Sequence, residues 1–326
     1  MISPYNQTVS TMVTRLAPSP TGALHLGNAR TFLVNWLLAR QNGWRILLRI
    51  EDLDGPRIKR GADRQVIDDL QWLGLSWDDG PIYQSSRIDL YTAGIHILLK
   101  SGRAYPCICT RKEVESAASA PHAEDGAVVY PGTCWDRFAS IEDATREAGG
   151  RAPAIRFRVP DEPIEWSDQF AGPQRLESPA KQLGDFVIAK GDGTPAYQLA
   201  VVVDDADMGV THIVRGDDLL DSTPRQILLY RSLGIPERIP QYYHLPLVVG
   251  TDGRRLAKRH GDTRLSSYRQ LGVQPSRVLA LLARWSGVEM GDHVEFPQSL
   301  LKQFNIDRLL RPQIVFDEKA DAWLRA

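Results

Sequence analysis

The chain has 326 residues, a formal net charge of −1 and a hydrophobic share of 43%, which is enough apolar material for a large buried core and for two or three domains. The balanced charge excludes a uniformly basic nucleic-acid binder, so any RNA surface must be a local patch. Met1 to Met12 lack the basic start and apolar centre of a secretory signal, and no apolar run approaches the ~20 residues of a membrane span, so a cytoplasmic protein without membrane contact is expected.

Val13 to Ala17 is a short apolar run that reads as a strand. Pro18 and Pro20 stiffen the turn after it, and Gly22 and Gly27 admit backbone that a side chain would block. From Asn28 apolar residues recur at helical spacing through Phe32, Leu33, Trp36, Leu37 and Ala39, with a stop near Gly43. A strand that feeds a helix N-terminus through such a loop offers backbone N–H groups and the positive end of the helix dipole to an anion, and phosphate is the natural ligand. The order Pro18-Ser-Pro-Thr-Gly22 followed by His25-Leu-Gly-Asn28 resembles the HIGH signature of class I aminoacyl-tRNA synthetases, in the form used by the glutamate-specific branch. Asn28 stands where that signature has its second histidine, a variation the branch itself shows. The resemblance implies that His25, Gly27 and Asn28 bind ATP, with His25 and Asn28 in catalytic roles, and that Arg15 and Ser19 bind L-glutamate.

Arg45 to Ile50 reads as a buried strand, and Glu51-Asp-Leu-Asp54 follows at its C-terminal end, where open parallel sheets place their ligands. In the resembled branch the glutamate matching Glu51 holds the amino group of the amino acid. Asp63 to Leu75 and Leu90 to Leu99 carry helical periodicity and read as cover for the sheet.

The three cysteines, Cys107, Cys109 and Cys134, fall in one segment opened by Tyr105-Pro and closed by Tyr130-Pro-Gly-Thr-Cys134. An odd count in a cytoplasmic chain argues against a disulfide framework, and the Cys-x-Cys spacing suits one structural Zn2+, which takes four ligands in a closed tetrahedron. His122 is the chemically obvious fourth ligand. The small glutamyl-tRNA synthetase paralogues that the chain resembles show Cys-x-Cys, then Tyr, three residues and Cys, which implies Tyr130 instead. Asp136 to about Pro179 is mixed, with a strand at Ala154 to Val159. Tyr105 to Lys181 reads as an insertion, which in the resembled family contacts the acceptor end of tRNA. Arg111, Lys112, Arg156 and Arg158 could add charge there, although solvated basic side chains are commoner.

Asp185 to Lys190, Pro195 to Asp204 and Val210 to Asp217 read as β-branched strands of the second half of a parallel sheet, with a helix from Pro224 through Tyr230. The match of Tyr197-Gln-Leu-Ala and Val214-Arg-Gly-Asp217 to the family places Tyr197 and Arg215 in the glutamate pocket. Arginine suits a carboxylate because its planar fork makes two parallel hydrogen bonds and keeps its charge. Arg255-Leu-Ala-Lys-Arg259 falls where the family has its KMSKS loop, so Lys258 is implied as the catalytic, ATP-binding cation that stabilises charge on the leaving pyrophosphate. Mg2+ is expected with ATP.

Sixty-eight residues follow Lys258, with helices around Ser266 to Trp285 and Gln298 to Leu310, and they leave no room for the large anticodon-binding region of a full glutamyl-tRNA synthetase. The organisation expected is a Rossmann-type α/β domain with a parallel sheet in two halves, residues 13–104 and 182–250, interrupted by the zinc-containing insertion at 105–181 and followed by a helical region at 251–326. The resemblance to the truncated paralogues implies activation of glutamate with ATP without tRNA, then transfer to queuosine in the anticodon of tRNA(Asp). A truncated enzyme charging a tRNA 3′ end, a glutamyl-adenylate enzyme serving a carrier or small acceptor, and a dead zinc-containing RNA-binding module are the alternatives.

Overall fold

The computed structural model describes residues 11–110, 112–114, 129–254, 256 and 262–326. They fall into two compact units, one drawn from Met1–Tyr83, Val210–Asp218 and Pro240–Ala326, the other from Gln84–Gly209 and Leu219–Ile239. The first unit opens with β1 (Val13–Leu16), α1 (Leu26–Asn42), β2 (Arg45–Ile50), α2 (Ala62–Trp72) and β3 (Asp79–Tyr83). The second contains α3 (Ile88–Lys100), β4 (Ala104–Cys107), α4 (Ile141–Glu147), β5 (Ala154–Phe157), β6 (Ile164–Asp168), β7 (Gly172–Leu176), β8 (Phe186–Ala189) and α5 (Tyr197–Asp207). The chain then supplies β9 (His212–Gly216) to the first unit and α6 (Thr223–Ser232) to the second. The first is completed by β10 (Gln241–Leu245), β11 (Val248–Val249), α7 (Leu265–Gln270), α8 (Pro275–Trp285), β12 (Ile314–Val315) and α9 (Glu318–Arg325).

In the first unit β1, β2 and β3 pair in parallel, as do β9 and β10. Thr211 joins the two sets: its N–H donates to Val13 O at 2.9 Å and its hydroxyl accepts the Val13 N–H at 2.8 Å. This is the parallel α/β sheet expected from the sequence. Helix α1 packs on it with Leu33, Val34, Trp36 and Leu37 almost fully buried, each worth roughly 2 kcal/mol of apolar burial. It ends where Gly43 takes φ +67°, a left-handed turn that a Cβ would strain. Thr14 on β1 donates to Asn35 Oδ1 at 2.9 Å and thereby turns toward α1, so by strand alternation its neighbour Arg15 faces the other side of the sheet. Buried Arg30 ties α1 to the C-terminal elements, donating to Pro246 O at 2.6 Å and Trp285 O at 3.1 Å.

The second unit contains an antiparallel sheet, β4-β5-β8, and the antiparallel pair β6 and β7. Two expectations change here. Asp185 to Lys190 contributes β8 to the antiparallel sheet rather than to a parallel one. Pro195 to Asp204 is mostly helix α5, whose Leu199, Ala200, Val201 and Val202 are all buried. A helix covered on most sides has no amphipathic period, and its valine run then looks like a strand. Further on, the helix expected from Ser266 to Trp285 is broken into α7 and α8 around Gly272, which adopts φ +81°, and Gln298 to Leu310 holds only short 3-10 turns.

Candidate active site

The helix α1 begins at Leu26, two residues before the expected start, with His25 as its N-cap. The imidazole itself caps the helix: Nδ1 accepts the Asn28 N–H at 3.4 Å. Gly27 makes room for this, because a Cβ there would stand 3.2 Å from both Cε1 and Nδ1 of His25 and 3.5 Å from Val248 Cβ. His25, Gly27 and Asn28 are all partly exposed at the mouth of the helix. His25 also pairs with Arg264 in an antiparallel bridge, while Leu26 N–H donates to Thr263 O at 3.1 Å and Leu265 N–H to Leu24 O at 2.8 Å. The chain following the Arg255–Arg259 stretch is thus bonded directly to the helix entrance. Lys258 and its neighbours 257 and 259–261 lie outside the described residues, as does Arg255. Leu256, within the stretch, is buried and donates its N–H to Val248 O at 3.2 Å.

Arg15 on β1 and Arg215 on β9 are both buried, and Ser19 is exposed in the loop after β1. Arg215 lies in direct register with His244 on β10, and its Nε donates to His244 Nε2 at 2.9 Å while its guanidinium sits 5.3 Å from the Tyr242 ring centre. An Nε2 that accepts a hydrogen bond fixes the proton of a neutral imidazole on Nδ1. Glu51, at the end of β2, is held by its backbone N–H to Pro18 O at 3.0 Å and by fully buried Arg49, whose Nη2 lies 3.2 Å from its carboxylate. Arg49 and Glu51 are two residues apart and so share one side of the strand. The first unit therefore carries, on its parallel strands, two buried guanidiniums and a carboxylate braced by a third arginine, and it also contains the capped helix entrance. Tyr197, 39% exposed, is the first residue of α5 in the second unit. Arg49 and His244 escaped the sequence reading. For Arg49 the signal was available, since Arg-Ile-Glu puts the arginine on the same strand face as Glu51.

The cysteine cluster lies wholly in the second unit. The Sγ atoms of Cys107, Cys109 and Cys134 lie within 4.8 Å of one another, with Cys107 and Cys134 buried. The Tyr130 hydroxyl is among them, 3.3 Å from Cys107 Sγ and 3.4 Å from Cys109 Sγ, and it accepts the Cys134 N–H at 3.0 Å. His122 lies outside the described residues. Burial pushes the Cys109 thiol up to about 11 and, together with the surrounding sulfurs, pushes the Tyr130 hydroxyl up as well. A divalent cation reverses that by direct coordination. Three sulfurs and one oxygen at these separations fit a tetrahedral Zn2+ site. Arg156, grouped above with solvated charges, is instead part of this centre: it stacks 3.9 Å from the Tyr130 ring centre, donates through Nε to Cys107 Sγ at 3.3 Å and through Nη1 to Asp185 O at 2.9 Å. Arg158 stacks on Trp135 at 4.7 Å, and Asp185 accepts from Tyr105 at 2.5 Å and from the Trp135 indole.

The family model for the catalytic domain of class I tRNA synthetases (E and Q) matches residues 11–321. The chain belongs to that family. Among curated class I relatives, the glutamyl-Q tRNA(Asp) synthetase of Symbiobacterium thermophilum is 49% identical over 92% of this chain and 94% of its own length. The glutamate–tRNA ligase of Citrifermentans bemidjiense is 41% identical over 96% of this chain, which spans only 65% of that protein. The crystal structure of a glutamate tRNA ligase from Elizabethkingia meningosepticum in complex with its amino acid superposes with a TM-score of 0.79 at 29% identity, covering 97% of this chain and 68% of the other. As a class I synthetase the chain is a ligase of the synthetase type. No described helix is long and apolar enough to cross a membrane.

Proposed function

We propose that this synthetase activates L-glutamate with ATP in the absence of tRNA and transfers the glutamyl group to queuosine in the anticodon of tRNA(Asp). The reading is supported above all by two buried guanidiniums, Arg15 on β1 and Arg215 on β9, and by Glu51 at the end of β2, all carried by parallel strands of the first unit. Two cations fit an amino acid with two carboxylates, and a carboxylate such as Glu51 fits its ammonium. A guanidinium left unpaired by glutamine would be costly, so discrimination between the two amino acids follows. The choice of acceptor is supported by the relatives: those named glutamyl-Q tRNA(Asp) synthetase match at 46 to 49% identity, against 40 to 43% for those named glutamate–tRNA ligase.

In the first step a carboxylate oxygen of glutamate attacks the α-phosphorus of ATP in line and pyrophosphate leaves. In the second a hydroxyl of the queuosine cyclopentenediol attacks the acyl carbon of the adenylate, an ester forms and AMP leaves. His25, Gly27 and Asn28 at the helix entrance take the phosphates, and Lys258 offsets charge on the departing pyrophosphate. Arg15, Ser19, Glu51 and Arg215 hold glutamate. Mg2+ bound to ATP would shield the charge of its phosphates. Cys107, Cys109, Tyr130 and Cys134 hold a structural Zn2+.

ATP/pyrophosphate exchange with L-glutamate and no tRNA tests the first step, with glutamine and aspartate as controls and Lys258→Ala as the blank. Tyr197→Phe is assayed alongside, with a raised KM for glutamate expected. Exchange with glutamate alone supports the reading, and queuosine-containing tRNA(Asp) should then accept glutamate where queuosine-free tRNA(Asp) does not. Exchange that requires tRNA, with an ester on the terminal adenosine, would overturn it in favour of a 3′-end-charging enzyme. Exchange with glutamate but transfer only to another acceptor would keep the adenylate and replace the tRNA. No exchange would leave a binding module.

A further inference from the structure

Arg30 is a buried cation on α1, 1% exposed, and lies three residues after Gly27, so helical spacing puts both on one face of the helix. That face meets the segment that joins β10 to β11. A Cβ on Gly27 would stand 3.5 Å from Val248 Cβ, and Arg30 Nη1 donates to Pro246 O at 2.6 Å. The guanidinium also donates through Nε to Trp285 O at 3.1 Å, in the last turn of α8, where the negative end of a helix dipole favours a cation. Its Nη2 has no hydrogen-bond partner among the described residues, and a donor buried without one costs stability. An apolar side chain of similar length would fill the same space without a buried charge, so packing alone does not account for an arginine here. What the guanidinium holds is the start of the run from Pro246 to Val249. Along that run Leu247 O, Val248 O and Val249 O accept the N–H groups of Ile314, Leu256 and Phe316 at 3.1, 3.2 and 2.8 Å, and Leu256 belongs to the Arg255–Arg259 stretch. One guanidinium thus joins the helix that opens at His25 to the strand on which that stretch is anchored.

We propose that Arg30 is a positioning residue that holds residues 246–249 against the start of α1 and thereby sets the placement of ATP. This rests on the adenylating function above, and the test separates the two. Arg30→Met and Arg30→Lys are made in the full chain; the first removes both hydrogen bonds and the charge, the second keeps the charge and can donate to one carbonyl. Amide hydrogen exchange of the unliganded protein is followed in peptides that contain Leu256 and in those spanning residues 313–317, whose amides bond to the held segment. Exchange in both should rise by roughly threefold to tenfold in the methionine variant, with peptides from β1, β2 and β3 unchanged. The Kd for ATP with Mg2+, read by calorimetry, should rise roughly fivefold to tenfold while that for glutamate does not. The melting temperature should stay within ~4 °C of the parent, because removal of a buried charge offsets the lost bonds. The lysine variant should show the same pattern to a smaller degree. Unchanged ATP affinity in both variants would overturn the proposal, as would equal weakening of ATP and glutamate with a uniform rise in exchange and a lower melting temperature, which is the mark of an ordinary core contact. A parent protein that binds ATP in this Arg30-dependent way yet catalyses no ATP/pyrophosphate exchange would keep the proposal and overturn the adenylating function.

Discussion

Gly27→Ala is the most informative single perturbation, because it should separate activity from stability. The new Cβ would sit 3.2 Å from Nδ1 and Cε1 of His25, tighter than ordinary carbon contacts, with Val248 Cβ closing the other side at 3.5 Å, so the imidazole must move by a few tenths of an ångström. The cap to the Asn28 N–H is already long at 3.4 Å and is lost, at a cost of about 1 kcal/mol. Replacing glycine by alanine inside a helix returns up to about 1 kcal/mol. Stability should therefore change by under about 1 kcal/mol, a shift of at most ~4 °C in melting temperature. Activity responds to geometry instead: a misplacement of about 1 Å can cost ~100-fold, so a shift of this size should lower ATP/pyrophosphate exchange by roughly tenfold. Differential scanning fluorimetry and the exchange assay read the two effects. Full activity with an unchanged KM for ATP would refute the role given to the His25 cap, and a melting temperature lower by more than ~8 °C would refute the packing argument.

Asp204→Ala should unfold the second unit more easily by about 3–5 kcal/mol in urea denaturation, since the fully buried carboxylate accepts from Gln84, Arg87 and Tyr91 at 2.7 to 3.0 Å and its loss removes the acceptor that all three share. Tyr130→Phe should lower Zn2+ affinity at least tenfold in chelator competition, and Arg156→Met by a smaller factor. Zinc bound with equal strength by the phenylalanine variant would point to a fourth ligand elsewhere. Burial of Asp69 on α2 gives a pH dependence of definite sign. Its carboxyl titrates near 6 in the folded chain against 3.8 in the unfolded one, so folding takes up a proton and stability rises as pH falls from about 6 toward 4. Asp69→Asn should remove that slope and stabilise the protein at neutral pH by up to roughly 3 kcal/mol; a steeper slope in the variant than in the parent would contradict this.

Much of the first unit could be read from local signals. The apolar strand runs at Val13 and Arg45, the helix with its stop at Gly43, and the loop with His25 are each set by residues close in sequence. The three cysteines were legible as one group from the Cys-x-Cys spacing and their place in one segment, whereas Tyr130 was implied only by the resemblance to the family. The second unit was read less well. Residues 197–207 carry a valine run typical of strands, yet burial against α3 and around Asp204 makes them a helix, and periodicity fails where most faces are covered.

The sequence by itself determined which chemistry is present: cations and a carboxylate at strand ends, a glycine-bearing loop at a helix start, and three thiols with a tyrosine. Only the tertiary structure decided how those groups are braced. That Arg49 supports Glu51, that His244 orients Arg215 and that Arg156 lies on Tyr130 rather than in solvent depends on hydrogen bonds and stacking between side chains brought together by folding. The physical reason is range. Propensity and hydrophobic period act over a few residues, whereas the partner of a buried polar group is selected by whichever donor or acceptor packing delivers to it, and desolvation makes that pairing obligatory.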